Sequence, residues 1–281
     1  AMTSALEYFQ HLSKPEEISA EAREFWSKSL DGVKSCFPLR DTLNSSCDPY
    51  AASVIEVSLD DEATAEIRST AHALSTSPFA VFVAAYSLAL AAVSDQHDFV
   101  VGAPVAGRND EYEIGVPTLM LNMIAIRTRI DVEKKISDTV RSMISNVTEA
   151  VSFGDSVFSK VVSEFADHTN EDPLFSTMVN MLTYPSLEFW DGDRSLHLTE
   201  LNTGFTKYDA SLYIQRHGED YILQLAYKVA YVTPERANKV LALTAWFLTS
   251  DWLSGKTTVA NAIKTALNDC DTSQITMLKS Y

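Results

Sequence analysis

Asp98-Phe99-Val100-Val101-Gly102-Ala103-Pro104-Val105-Ala106-Gly107-Arg108 decides how this chain is read. Its first half is a short apolar run of the kind found in a buried strand. Two glycines and a proline follow within seven residues. Proline cannot donate to a sheet ladder, so Gly102, Pro104, Gly107 and Arg108 are expected to leave the sheet as a loop of defined angle. Upstream, Pro78 to Val93 is apolar on every side, as befits a helix buried in a domain centre. Ser77 can cap it and Pro78 suits its first position. It falls short of the roughly 20 residues a bilayer requires. Downstream, Leu119 to Ile130 reads as a longer strand, with Arg127 and Arg129 on one side and Ile126, Thr128 and Ile130 on the other. Asn122 is the lone amide in its apolar part. A buried amide is costly without hydrogen bonds, so Asn122 either ties down a neighbouring loop or lines a channel; the tie is the commoner fate.

Working outward, residues 4–13 and 19–30 read as helices separated by Lys14-Pro15, and 32–50 as an unpatterned loop. Ala52 to Leu59 reads as a strand, and Asp60-Asp61-Glu62 opens a helix with acid at its positive end. Helices follow at 135–152 and 156–166. Strands are expected at 174–183, 195–201, 208–216 and 220–230, and helices at 233–253 and 258–268. The class is α/β, a mixed β-sheet covered by helices. The division expected is connecting helices and linker over 1–50, one lobe over 51–255, and a tail or linker to a next domain over 256–281.

The net charge of −16 over 281 residues argues against a phosphate backbone or an anionic membrane as partner. Cys36, Cys47 and Cys270 have no disulfide or zinc spacing, and Ala1-Met2-Thr3-Ser4 has no basic start or apolar core of a signal peptide. A cytoplasmic protein is expected, with Ala1 a vector-derived residue. The six histidines include no adjacent pair and no HExxH, so no metal is expected. GxSxG, GxxxxGK[ST] and GxGxxG are absent. Asp167-His168 lies in a stretch that reads as a solvated loop, and Asp191-Gly192-Asp193 lacks the remaining ligands of a calcium loop. The residues assemble no catalytic constellation.

The opening stretch closely resembles the "DDIVVGTPVAGR" segment of condensation domains in non-ribosomal peptide synthetases. Ile114-Gly115 through Asn122 to Arg127 resembles the family's "IGFFVNTLPLR", with Val116-Pro117-Thr118-Leu119-Met120-Leu121 in place of its aromatic-rich part. Asp155-Ser156-Val157-Phe158-Ser159 resembles "QDVPFE", with Ser159 for the acid. Asp172-Pro173-Leu174-Phe175 resembles "RNPLF", Tyr208-Asp209-Ala210-Ser211-Leu212 resembles "FDLTL", and Trp26 to Asp31 resembles "YWREQLAG". The matches keep the family's order from residue 5 to about residue 253.

The resemblance implies one lobe, the C-terminal one, of a chloramphenicol-acetyltransferase-like fold, in which two lobes enclose a tunnel. Donor and acceptor peptidyl carrier proteins, each bearing a phosphopantetheine thioester, would meet there, with no cofactor bound directly. It further implies Gly102, Pro104, Gly107 and Arg108 at the tunnel floor, Arg108 and Asn122 at its wall, and structural roles for Asp155, Phe158, Pro173 and Asp209. A crossing segment is expected within 184–207, with Phe189-Trp190-Asp191-Gly192-Asp193-Arg194 as candidate. The family's "HHxxxDG" belongs to the other lobe, ahead of everything matched here, and these residues contain no adjacent histidines. Two readings stay open: a piece of an amide-forming enzyme, inactive alone and completed by the N-terminal lobe on the same or a separate chain, or a non-catalytic module that docks carrier proteins or tailoring enzymes. A homodimer covering the unpaired face is a further arrangement. Lys134-Lys135 and Arg127/Arg129 are candidate basic patches for carriers.

Overall fold

The computed structural model describes residues 18–106, 121–165, 173–182, 188–191, 194–197, 202–217, 220–250 and 255–278. The helix expected at 4–13, Lys14-Pro15, Gly107, Arg108, the Ile114–Met120 stretch and Asp167-His168 lie outside them.

Helix α1 (Ala20–Leu30) leads in, capped by Ser19, whose hydroxyl accepts from the Ala22 amide at 3.1 Å. Strand β1 (Ala52–Leu59) precedes α2 (Asp61–Ala73), and Asp60 caps that helix through the Ala63 amide. Helix α3 (Pro78–Ser94) follows on a Ser77 cap, then the antiparallel pair β2 (Asp98–Ala106) and β3 (Leu121–Arg129). Helices α4 (Ile136–Ser152) and α5 (Phe158–Phe165) lead to β4 (Thr177–Leu182). A separate hairpin, β5 (Glu188–Asp191) and β6 (Arg194–His197), lies on the way to β7 (Ala210–His217) and β8 (Asp220–Lys228). Helix α6 (Pro234–Thr249), α7 (Val259–Asp269) and β9 (Thr276–Leu278) complete the described chain.

Seven strands form one sheet in the order β3-β2-β4-β7-β8-β1-β9. Only β2–β4 and β4–β7 are parallel. The expected mixed sheet is therefore present. Helix α3 packs between the sheet, which it meets through Tyr86 and Ser87, and the helices α2, α4, α6 and α7. Twelve of its residues are buried, from Ala80 to Ala91, which is why its sequence carries no polar stripe. Two of the few hydroxyls there are satisfied: Tyr86 Oη pairs with Thr177 Oγ1 at 2.6 Å, and Ser87 Oγ accepts from Thr128 at 3.2 Å. Full burial of rings such as Phe82, Phe99 and Phe247 contributes about 1.5–3 kcal/mol each. Among the described residues no single helix is long and apolar enough to cross a membrane.

Two expectations need correction. Residues 102–106 do not leave the sheet: β2 keeps its register with β3 through Pro104↔Met123 and Val105↔Asn122 to Ala106↔Leu121. The proline is tolerated because β2 meets β4 at one pair only, Gly102↔Met178, and is an edge on that side beyond it. Residues 256–278, expected as part of a tail or linker, pack against the rest of the fold. Thr258 bridges to Lys135, Val259 and Ala266 are buried, and β9 adds a strand to β1.

Candidate functional site

Where β2 and β4 touch, the side chain that fills the space comes from neither strand. A Cβ on Gly102 would lie 2.2 Å from the Phe175 ring, so only glycine lets that ring seat against β2. Phe175 precedes β4 and is buried. Its ring lies 5.8 Å from Phe158, at the start of α5, and 5.5 Å from Tyr208, just before β7. Three rings from three separate stretches thus line one end of the sheet beside the Gly102–Pro104 strand. Aromatic contacts at these separations add roughly 0.5–1.5 kcal/mol each beyond area burial.

Asn122, opposite Val105 in the β2–β3 register, fixes the turn that leads into α5. Its amide nitrogen donates to the carbonyls of Gly154 at 2.8 Å and Ser156 at 2.7 Å, and its oxygen accepts from the Phe158 amide at 3.2 Å. Of the two fates open to it, the loop tie is the one its hydrogen bonds describe. Gly154 comes close to Val105, since an added Cβ would meet its Cγ2 at 3.2 Å. Within the same turn Asp155 is exposed and Ser156 buried, while Pro173 is exposed ahead of β4.

Asp209 is buried beside this row. Arg40 holds both its oxygens, Nε to Oδ2 at 2.6 Å and Nη2 to Oδ1 at 3.2 Å, and the Lys228 ammonium lies 4.0 Å from Oδ1. The guanidinium rests between the rings of Phe37, 3.8 Å from its centroid, and Tyr231, at 4.5 Å. Burial pulls the Lys228 amine below the ordinary lysine range, and Asp209 opposes that pull. Phe175 and Tyr208 belong to motifs quoted from the sequence but were given no role there, and Arg40 was not singled out at all. Arg40 sits in an unpatterned loop, and only the Arg40–Asp209 contact across 169 residues reveals its role.

Arg127 is no surface patch. It is buried, its Nε and Nη2 each 2.7 Å from Asp98, and its Nη1 bonds the carbonyls of Ser29 and Asp31 at the end of α1. Burial, with the Asp98 carboxylate nearby, pushes the Cys36 thiol up to about 11, which leaves little thiolate at neutral pH. Among the described residues no group of three or more His, Cys, Asp or Glu could hold a metal ion. What the site supplies is a stretch of β2 packed by aromatic rings, with the neighbouring turn held by the Asn122 amide. Of the candidate crossing segment, residues 189–191 lie in β5 and Arg194 opens β6, with Phe189 opposite Leu196 in register, while Gly192 and Asp193 lie outside the described residues.

The family model described as Condensation domain matches residues 4–241. A plipastatin synthase of Bacillus subtilis (strain 168) is 27% identical over 187 residues, 66% of this chain and 5% of that protein. N-(5-amino-5-carboxypentanoyl)-L-cysteinyl-D-valine synthase of Amycolatopsis lactamdurans is 31% identical over 147 residues, covering 52% of this chain and 4% of that one. This chain therefore spans a small fraction of the curated relatives it matches. Among solved structures, a holo four-domain nonribosomal peptide synthetase bound to AMP and glycine superposes with a TM-score of 0.78 at 14% identity, over 93% of this chain and 22% of that one. The first condensation domain of the calcium-dependent antibiotic synthetase, in complex with a substrate analogue, gives 0.65 at 14% identity, over 97% of this chain and 56% of that one.

Proposed function

The chain belongs to the condensation domain family, and on that premise we propose that it is the C-terminal part, without the HHxxxDG motif, of an amide-forming condensation domain of a non-ribosomal peptide synthetase. In this reading the acceptor amine nitrogen attacks the carbonyl carbon of the donor thioester. The C–N bond forms, the C–S bond breaks, and the nitrogen's proton passes to the departing thiol. Both substrates arrive on carrier proteins through phosphopantetheine arms, in the cytoplasm. Alignment of two such arms is the major catalytic task, since a held near-attack geometry removes much of the entropic barrier.

The observation that carries the proposal is the convergence at Gly102. Motif residues from β2, β3, the turn before α5, and the segments before β4 and β7 meet within one packed cluster. Such a cluster stiffens the strand that would become the tunnel floor. It holds no acid–base pair, so the positioned base or hydrogen-bonding group would come from the N-terminal lobe, on the same or a separate chain. That lobe would also cover the face on which a homodimer is the alternative.

An intact-mass assay tests the reading. Donor-loaded and acceptor-loaded carriers are incubated with this chain, with and without the histidine-bearing lobe. Amide product only when both parts are present is the expected result. Product from this chain alone would overturn the assignment of the chemistry to the other lobe. Carrier binding without product in either mixture would favour the docking-module reading.

A further inference from the structure

Apolar burial attaches a helix without fixing its angle, because the hydrophobic effect is non-directional. Helix α1 is attached in that way: Ala22, Trp26 and Leu30 are buried against the core, and Phe25 stacks on Phe153 at 5.2 Å. At its first turn Arg23 pairs with Glu164 and lies over the Phe165 ring, both on α5, and its C-terminal end is held chiefly by Arg127. Arg127 Nη1 donates to the Asp31 carbonyl at 2.6 Å and the Ser29 carbonyl at 3.2 Å, while its other edge grips both oxygens of Asp98. Four of its N–H groups are engaged, at the carbonyl end of a helix where a cation is favoured. Asp98 is the first residue of β2, the strand that carries Gly102 and Pro104. Arg129 adds a longer bond to the Asp31 carbonyl, at 3.3 Å.

We propose that Arg127 is a positioning residue of the condensation reaction: it locks the lead-in helix α1 to the floor strand β2, and so sets the angle at which α1 meets that floor. The inference rests on the condensation reading above. A lysine keeps the charge but has no planar fork, so it cannot grip Asp98 and the two carbonyls together.

The test uses the full chain with Arg127→Gln and Arg127→Lys, read by amide hydrogen exchange and by condensation in the presence of the histidine-bearing lobe. In both variants, peptides from α1 are expected to exchange about tenfold faster while β7 and β8 peptides keep the wild-type rate, as in a local opening. Turnover, kcat, falls about tenfold, with KM for the loaded acceptor carrier within about twofold of wild type. Asp98→Asn moves both readouts the same way and by less, since the carbonyl bonds persist. Unchanged α1 exchange, equal loosening of β7 and β8, or recovery of kcat by lysine would each overturn the proposal. If wild-type chain and lobe give no product, the condensation reading fails, and the α1 exchange still decides whether Arg127 is the clamp.

Discussion

The ring of Phe175 occupies the space that a side chain on Gly102 would need, with 2.2 Å from its edge to the position of a Cβ. A methyl group there cannot be accommodated without moving Phe175, and Phe175 is itself held by Phe158 and Tyr208. Gly102→Ala is therefore expected to destabilise by about 2–3 kcal/mol, the upper range for an overpacked core. Phe175→Leu alone leaves a smaller void. The double variant should be more stable than the two single effects predict, because removing the ring makes room for the methyl. Urea denaturation of the four proteins gives the coupling energy. A coupling near zero would mean the ring moves freely.

The Asn122 amide is expected to be intolerant of charge as well as of deletion. Asn122→Ala leaves two carbonyls and one amide of the 154–158 turn without their partner, a loss of about 2–3 kcal/mol if one or two stay unsolvated. Asn122→Asp keeps the acceptor for the Phe158 amide but sets a carboxylate against the Gly154 and Ser156 carbonyls. Its folded-state pKa should rise, so the aspartate variant gains stability as the pH falls from about 7 to about 4. Urea midpoints at both pH values decide this; an aspartate variant equally stable at both would show that the carbonyls turn away.

Much of this architecture was legible in the sequence, and the parts that were not share a cause. Strand β1 and the capped start at Ser77 followed from local pattern, which depends on residues a few positions apart. Strand β2 was expected to stop at Gly102 because a proline two residues on cannot serve a ladder. Whether a ladder exists on that side depends on where β4 diverges, which no local pattern encodes. β9 has three residues, too few to show a period. Alternation put Arg127 on the correct side of its strand but could not announce that α1 ends there. The Asp209–Arg40 pair was half readable, since the family motif marks Asp209 while Arg40 lies in an unpatterned loop.

Acid should weaken the grip of Asp98 on Arg127 in a defined window. Hydrogen bonding to Arg127 holds the Asp98 carboxyl below its ordinary value, against a partial burial that would raise it. A folded-state value below the unfolded one contributes stability that is complete above about pH 4 and is lost as the pH falls through the folded value. Asp98→Asn removes that contribution. The stability difference between wild type and variant is expected to be constant from neutral pH to about pH 5 and to shrink below about pH 4. Because the Asp98 side chain is 52% exposed, added salt should reduce the difference. A difference that stays constant into the acid range would mean the pair contributes nothing through its charge.

Removal of Asp209 should be costly in a way that alkali partly relieves. The carboxylate faces Arg40 at 2.6 Å and Lys228 at 4.0 Å while only 3% exposed, so Asp209→Ala leaves two cations without a counter-charge. Breaking a buried pair by deleting one partner costs about 3–5 kcal/mol. Arg40 stays charged at any working pH, and 36% of its side chain reaches solvent. Lys228 is the more enclosed, with 11%. Its amine is already lowered by burial, and losing the Asp209 attraction lowers it further. A base with a depressed folded-state value penalises the fold at low pH and releases it as the pH climbs through that value towards the unfolded one near 10.4. The variant should therefore recover part of its loss between about pH 7 and about pH 10, relative to wild type, and Asp209→Ala with Lys228→Met should show less recovery. Chemical denaturation at the two pH values separates the outcomes. Equal losses at both would place the whole cost on Arg40 and leave Lys228 a spectator.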